Sequence, residues 1–587
     1  MSVYQAPLRD MQLLVEQALH KSGLANCSGL EEFDSDLVSA VLEEAGKFAS
    51  GELAPLNTVG DAEGCRFENG RVTTPPGWKD AYRQFCEAGW MGLALPAEYG
   101  GQSLPKFIAQ PVNEMWLSAN LAFVMFHALA QGGSEILLHF GTDEQKQRYL
   151  EPIITGRWTV AMALTEPGAG SDLGALTTKA IPGRDGSYLI KGQKIYITYG
   201  DHDMAENIVH LVLARTPDAP AGSRGISLFA VPKFRIGNDG RPGESNDLVC
   251  TGIEHKTGLH GSPTCSISYG DNDNCYGELI GHENRGLEAM FVLMNEARLS
   301  CGMQGVGLGE AGFQRAQAYA LERIQGTDAV NGGGRTAIAH HPDVARMLLS
   351  IRSEVMGLRG LGYLIAALID KAEHTDHADE RKTLQARIAL LTPVFKAYAT
   401  EKANLMAGTT IQVFGGMGFV EETGVAQLMR DARITTIYEG TTGIQARDLV
   451  FRKIKADGGE ALLHLLAEID QDTEQFHADN PFGPHLRQNA SAVRQAVEII
   501  NSAANHSLAL NAGGVPFLEA LGKLCCAWQL ACTANTAIKR EHENPQYYRN
   551  LRALADYYFA FTVPHIAAHL TTFRHADRGV AEYRFEP

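Results

Sequence analysis

Ile437-Tyr438-Glu439-Gly440-Thr441-Thr442-Gly443-Ile444-Gln445, following Leu428-Met429-Arg430-Asp431-Ala432-Arg433, puts one carboxylate, Glu439, on a glycine-flanked turn just after a helical pattern. A carboxylate that removes a proton from carbon needs such a mount: short, anchored by backbone and off a solvated helix face. Taken alone, Tyr-Glu-Gly more often marks a surface turn, so the meaning of this stretch depends on what else the chain carries.

Working outward, Ala161-Met162-Ala163-Leu164-Thr165-Glu166-Pro167-Gly168-Ala169-Gly170-Ser171-Asp172 starts like a strand and enters a turn rich in backbone donors and small hydroxyls. Such a turn lets the backbone approach a flat or anionic ligand, and it also suits a tight surface loop. In Lys191-Gly192-Gln193-Lys194-Ile195-Tyr196-Ile197-Thr198, Tyr196 and Thr198 fall on one side of a strand. They can flank a ring system or make an ordinary cross-strand pair. Met294-Asn295-Glu296-Ala297-Arg298 lies early in a long helical pattern. Arg298 there either holds an anionic or carbonyl-rich ligand or is simply solvated. Arg323, two residues before Gln325, is a candidate pyrophosphate binder. Gly415, Gly416 and Gly418 after Gln412 allow close backbone approach, or merely end a helix.

The rest of the composition narrows the class. The chain has 587 residues, 45% apolar and 20% charged, as in a globular protein of several domains. Its 51 Lys+Arg against 68 Asp+Glu give a formal charge of −17, which argues against nucleic acid or an anionic membrane as the main partner. The ten cysteines show no paired metal-type spacing and read as scattered reduced thiols of a cytoplasmic protein, with no metal site. Neither a signal peptide nor an uncharged apolar run long enough to span a bilayer is expected.

The texture is helical to about residue 160, β-like over 161–281, helical again over 282–455, and helical in an extension over 456–587. Residues 75–101 read as loop-rich, and residues 326–341 as a mobile loop ahead of a helix starting at Pro342.

In their order, and in the domain pattern that holds them, these segments resemble the acyl-CoA dehydrogenase family over about residues 80–455. Thr165-Glu-Pro-Gly-Ala-Gly-Ser-Asp172, Gln412-Val-Phe-Gly-Gly416 and Ile437-Tyr-Glu-Gly-Thr441 carry the resemblance most specifically. The first 80 residues and the extension resemble its long bacterial branch, which includes fatty acyl-CoA and 3-methylmercaptopropionyl-CoA dehydrogenases. The resemblance implies an α+β multidomain fold: a helical N-terminal domain, a central β-barrel or sandwich, a four-helix bundle and an extra helical C-terminal domain.

It further implies FAD lined by Met162, Leu164, Thr165 and Ser171, flanked by Tyr196 and Thr198, and completed by Thr441 and Gly443. Arg323, Gln325, Gln412, Gly415 and Gly416 would reach the FAD of a neighbouring subunit. Ser171, Asn295, Arg298, Glu439 and Gly440 would meet the acyl-CoA. Glu439 would be the base. Some relatives place the base one residue before the substrate arginine, and Ala297 here cannot take a proton. Position 443 is often glutamine in better-known members, and glycine voids that side-chain role.

The implied reaction is α,β-dehydrogenation of an acyl-CoA in fatty acid β-oxidation. Glu439, its pKa raised by desolvation, would take the α-proton, its N–H would donate to the thioester oxygen, and the β-hydrogen would pass as hydride to flavin N5. Electron-transfer flavoprotein would accept the electrons, and a homodimer would be the assembly. A 3-methylmercaptopropionyl substrate, an acyl-CoA oxidase, a nitroalkane-oxidising relative and a non-catalytic binding protein on the same fold are the alternatives. Met115, Trp116, Phe123, Met125, Phe126 and His127 are candidate acyl-pocket liners or ordinary core.

Overall fold

The computed structural model describes residues 4–26, 33–183, 186–330, 332–505 and 507–585; Cys27, and Met1 to Val3 of the signal-peptide reading, lie outside them. The N-terminal part carries α1 (Leu8–Ser22), α2 (Ser35–Phe48), α3 (Ala54–Glu63), β1 (Arg66–Glu68), β2 (Arg71–Thr73), α4 (Trp78–Glu87), α5 (Lys106–Phe140) and α6 (Asp143–Ile154). Strands follow: β3 (Trp158–Ala163), β4 (Lys179–Pro182), β5 (Tyr188–Thr198), β6 (Asn207–Ala214), β7 (Ser227–Pro232), β8 (Phe234–Ile236), β9 (Pro242–Ser245), β10 (Leu248–Ile253), β11 (Thr264–Tyr269) and β12 (Tyr276–Ile280). Next come α7 (Gly286–Glu322), β13 (Ile324–Thr327), β14 (Arg335–Ala337), α8 (Pro342–His374), α9 (Ala378–Phe414), α10 (Val425–Thr435) and α11 (Thr442–Arg447). The extension adds α12 (Glu460–Glu474), α13 (Gly483–Ser502), α14 (Leu508–Arg540), α15 (Pro545–Phe561) and α16 (Pro564–Arg574).

Two compact units emerge: residues 1–47, 106–118 and 301–587 form the helical unit, and residues 48–105 and 119–300 form the β-rich unit. In the β-rich unit the strand order is β10-β11-β5-β12-β7-β6-β3, with β4 on β5. Strand β12 turns the corner of this sheet. Tyr276 and Gly277 pair with β5, whereas Glu278 to Ile280 pair with β7. Both halves therefore face one core, which includes Ile190, Ile197, Ile208, Val212, Phe229 and Val231. Every residue of β6 is buried, so it is a run without alternation, as a strand covered on both faces requires.

In the helical unit α8, α9 and α14 pack closely because small residues sit at the contacts. A Cβ on Gly357 of α8 would come within 2.9 Å of Cys526 of α14, and one on Gly522 of α14 within 2.4 Å of Tyr398 of α9. Arg359, fully buried on α8, pairs with Glu114 at 2.6 Å and Glu310 at 2.7 Å. Arg352 extends this network from Glu310 to Asp10 of α1.

Several expectations need correction. The loop-rich passage contains α4, whose buried Trp78, Ala81, Tyr82 and Phe85 recur at helical spacing. Residues 326–341 are not simply a loop, since β13 pairs with β14 before α8 begins at Pro342. The helical N-terminal part includes the hairpin β1–β2, turned by Asn69 and Gly70 at φ 51° and 73°. An uncharged apolar run does exist at residues 115–134, and α5 is long and apolar enough to cross a membrane. Its most apolar window is 72% buried within the protein, which is how a core helix behaves.

Candidate active site

Glu439 sits between α10 and α11 with φ 55°, followed by Gly440 with φ 91°. Two consecutive left-handed residues make a sharp turn that a non-glycine residue enters only at a cost of about 1 kcal/mol or more. Hydrogen bonds hold it. Gln445 Nε2 donates to the Glu439 carbonyl at 2.9 Å. The Lys396 ammonium, fully buried on α9, donates to Gly440 O at 2.8 Å and Thr435 O at 2.9 Å. Thr442 donates from its hydroxyl to Glu401 of α9 at 2.6 Å. Glycine is favoured at 440 by its φ of 91°, and a Cβ there would also displace Gln445 Nε2, which it would approach to 2.6 Å. Glu439 itself is half-buried.

The turn backs onto buried groups of α7. Tyr438 donates its hydroxyl to Gln304 of α7, and burial raises that phenol well above its usual range. Cys301, one turn earlier on α7, is pushed up to about 12 by burial. Thr441 caps α11, accepting from Ile444 N at 3.3 Å, and Gly443 is exposed in its first turn.

In the β-rich unit, Glu166 organises the Thr-Glu-Pro-Gly turn. Its carboxylate accepts from Lys194 Nζ at 2.8 Å, from Thr177 N and Oγ1 at 2.6 and 2.7 Å, and from Thr178 N and Oγ1 at 3.0 and 2.6 Å. Lys194 also donates to Leu164 O at 2.9 Å. Burial alone would raise the Glu166 carboxyl, but the Lys194 charge and the threonine donors outweigh it and hold the group at about 2. Beyond this anchor the turn opens outward. Ser171 is exposed, and Cβ atoms added to Gly168 or Gly170 would meet nothing within 4 Å.

The register of β5 slips between its Ile197 and Lys194 pairings with β11, a bulge that places Tyr196 at φ 61°. Tyr196 is consequently 61% exposed, an unusual state for a strand aromatic, and Thr198 beyond it is half-buried. Met162 is half-buried on β3, while Leu164 is buried and Thr165 accepts from Ile195 N at 2.9 Å. Arg298 is buried on α7 and donates to Asn295, one turn earlier and exposed, at 3.4 Å.

Not all the residues singled out meet. Arg323 and Gln325 are exposed where α7 gives way to β13. Gln412, Gly415 and Gly416 are exposed at the end of α9. The stacked rings of Tyr319 and Phe414, 4.2 Å apart, join these two places. Glu439 belongs elsewhere in the same unit. At 1.5 Å of rise per residue, Lys396 beneath its turn lies about 24 Å along α9 from Gln412. Among the candidate pocket liners, Phe123 and Phe126 pack edge to face with Phe85, and His127 contacts Gln131 at 3.3 Å with burial lowering its pKa to about 4.

Sequence reasoning missed Lys396, Gln304, Glu401 and the anchoring pair of Glu166 and Lys194. Lys396 did leave a signal: a lone lysine inside Leu390-Leu-Thr-Pro-Val-Phe-Lys-Ala-Tyr398 must be buried. Its partners could not be read there.

Family models match residues 36–157, 161–271 and 284–454 as the N-terminal, middle and C-terminal domains of acyl-CoA dehydrogenase, and residues 465–584 as acetyl-CoA dehydrogenase C-terminal like. The chain is 43% identical over 541 residues to 3-methylmercaptopropionyl-CoA dehydrogenase of Ruegeria pomeroyi, covering 91% of each chain. It is 35% identical to butyryl-CoA dehydrogenase of Syntrophomonas wolfei, covering 98% of this chain and 97% of that one. In fold it resembles an acyl-CoA dehydrogenase from Bacillus anthracis solved with FAD, with a TM-score of 0.74 at 21% identity over 95% of this chain and 90% of that one. With matches along nearly its whole length, the chain belongs to the acyl-CoA dehydrogenase family.

Proposed function

We propose that the protein oxidises an acyl-CoA thioester between its α and β carbons, giving a trans-2-enoyl-CoA, with Glu439 as the base. The observation that carries this reading is the Glu439 turn: a half-buried carboxylate on left-handed backbone, held through its main chain by Lys396 and Gln445. A base fixed in this way loses little freedom when it meets the α-proton. The Glu439 N–H would donate to the thioester oxygen as negative charge gathers there. Asn295, Arg298 and Ser171 are the residues we assign to the acyl-CoA, along with Gly440.

The β-rich unit fits FAD. Tyr196 offers an exposed ring on a bulged strand beside Thr198, and the turn at Gly168 and Gly170 leaves its backbone open to a ligand. Met162, Leu164, Thr165 and Ser171 would line it, and Thr441 and Gly443 are also assigned to FAD. When bound, FAD supplies the acceptor for the β-hydrogen and its electron pair. Electron-transfer flavoprotein is the proposed onward acceptor.

The distance of Arg323, Gln325, Gln412, Gly415 and Gly416 from the Glu439 turn supports their serving a second copy, hence a homodimer. Exposed Leu405, Met417, Phe419 and Met429 would be covered in such an assembly. A mass of four chains in light scattering would reject it. The nine described cysteines are free, which fits a reducing cytoplasmic setting.

For the substrate, the butyryl-CoA relative supports a short straight-chain acyl group, as in β-oxidation. The second reading is 3-methylmercaptopropionyl-CoA, favoured by the 43% identical relative. Anaerobic titration with acyl-CoAs from butyryl to palmitoyl, and with 3-methylmercaptopropionyl-CoA, separates them by which thioester bleaches the oxidised-flavin absorbance. A yellow protein that none of them bleaches would discard the reaction. Hydrogen peroxide released in air with the active thioester would indicate an oxidase instead. A colourless protein that cannot be reconstituted would favour a binding role.

A further inference from the structure

We propose that Lys396 is a positioning residue for Glu439, its ammonium clamping the two ends of the turn that presents the carboxylate. The inference rests on the reading of Glu439 as the base. A lysine that merely capped α10 would bind the end of that helix, where Thr435 O accepts at 2.9 Å. Lys396 does more. Its second bond crosses the turn to Gly440 O at 2.8 Å, so one cation ties together the residues on either side of Thr436 to Glu439. The backbone between these bonds includes the left-handed Glu439 and leads into the left-handed Gly440, conformations that relax unless held.

The placement is costly, which argues for a purpose. Lys396 is 0% exposed in an apolar stretch of α9 between Phe395 and Ala397, where an uncharged side chain would carry no desolvation penalty. Charge-assisted bonds to two carbonyls offset that penalty. The same helix meets the far side of the turn through Glu401 and Thr442 at 2.6 Å, so α9 grips the segment at both of its ends. Cys301 feels both the Lys396 cation and the Glu439 carboxylate, so the cation lies in the electrostatic neighbourhood of the base as well as under its backbone.

The test is a double-mutant cycle on the FAD-loaded protein, reading the anaerobic rate of flavin reduction. Lys396→Met keeps the stem and removes the donors. The expected result is a loss of about 10- to 100-fold with Glu439 present and no further loss in the Glu439→Gln background. Binding of 2,2-dimethylbutyryl-CoA, which has no α-proton, reads the thioester contacts of the Glu439 N–H and Gly440 separately, and it should weaken by far less than the rate falls; a loss of binding as large as the loss of rate would overturn the proposal. Lys455→Met is the control. Lys455 also binds carbonyls, Ile500 O at 3.0 Å and Ala503 O at 2.6 Å, so its loss should lower the melting temperature and leave the rate unchanged. Equal losses for Lys396→Met in both backgrounds, or no loss beside native Glu439, would overturn the proposal. If Glu439→Gln alone kept its rate, the base assignment would fall first, and that arm shows it separately. Should the methionine variant not fold, Lys396→Gln, a neutral donor able to reach one carbonyl, takes its place with the same criteria.

Discussion

Two turns of this molecule are made from the same parts, a glutamate, glycines and a buried lysine, and they use the glutamate in opposite ways. In the β-rich unit Glu166 points its carboxylate inward, where Lys194 and two threonines bind it and hold its pKa at about 2. In the helical unit Lys396 and Gln445 bind main-chain carbonyls around Glu439. A carboxylate surrounded by its own loop's donors is structural, because no proton will bind it near neutral pH. Around Glu439 the lysine instead fastens the loop through main-chain carbonyls. The destination of the lysine separates the scaffold glutamate from the one proposed as the base.

Glu439→Gln should test the contrast most severely. Flavin reduction should fall on the order of 10³-fold or more, with FAD content and melting temperature retained. A variant keeping a large share of the native rate would erase the difference between the turns. Glu166→Gln should do the reverse. It leaves a buried ammonium without its counter-charge, and unfolding free energy in urea should drop by about 3–5 kcal/mol. The same variant gives the pH signature. The folded-state pKa of Glu166, about 2, lies below its usual 4.5, so the unfolded chain binds more protons between those values. The stability Glu166 confers is complete above about pH 4.5 and fades as pH falls towards 2, so native and Glu166→Gln stabilities should converge over that window. A gap that stays constant with pH would mean the carboxylate is not what holds the turn.

Gly440→Ala should be milder: with φ 91° and Gln445 Nε2 at 2.6 Å, about 1–2 kcal/mol of strain and a lower rate are expected from unfolding curves and steady-state assays. The smallest effect belongs to Gly168→Ala. Open space around that Cβ predicts a stability change within about 0.5 kcal/mol, with any loss confined to FAD content. A large loss of stability there would mean the turn is packed where the structure leaves it open.

The legible features were local ones. Helices with long apolar periodicity, such as α8 starting at Pro342, and the Glu439 turn stand out because their signals lie within a few neighbouring residues. Short elements did not stand out. The hairpin at Asn69-Gly70 has a direct signal that went unread, and α4 hid among prolines and glycines. The Tyr196 bulge could not have been foreseen, because it is set by pairing with β11 and not by β5 itself.

By itself, the sequence determined the family and the succession of helical and β textures, and it singled out Glu439 as the candidate carboxylate. These are properties of contiguous residues, whose backbone preferences act wherever the chain folds. Only the tertiary structure decided which glutamate is fastened through its side chain and which through its backbone. Lys194 reaches Glu166 across 28 residues and Lys396 reaches Gly440 across 44. A buried ammonium must find acceptors, but which ones lie within 3 Å is settled by how helices and strands pack around it.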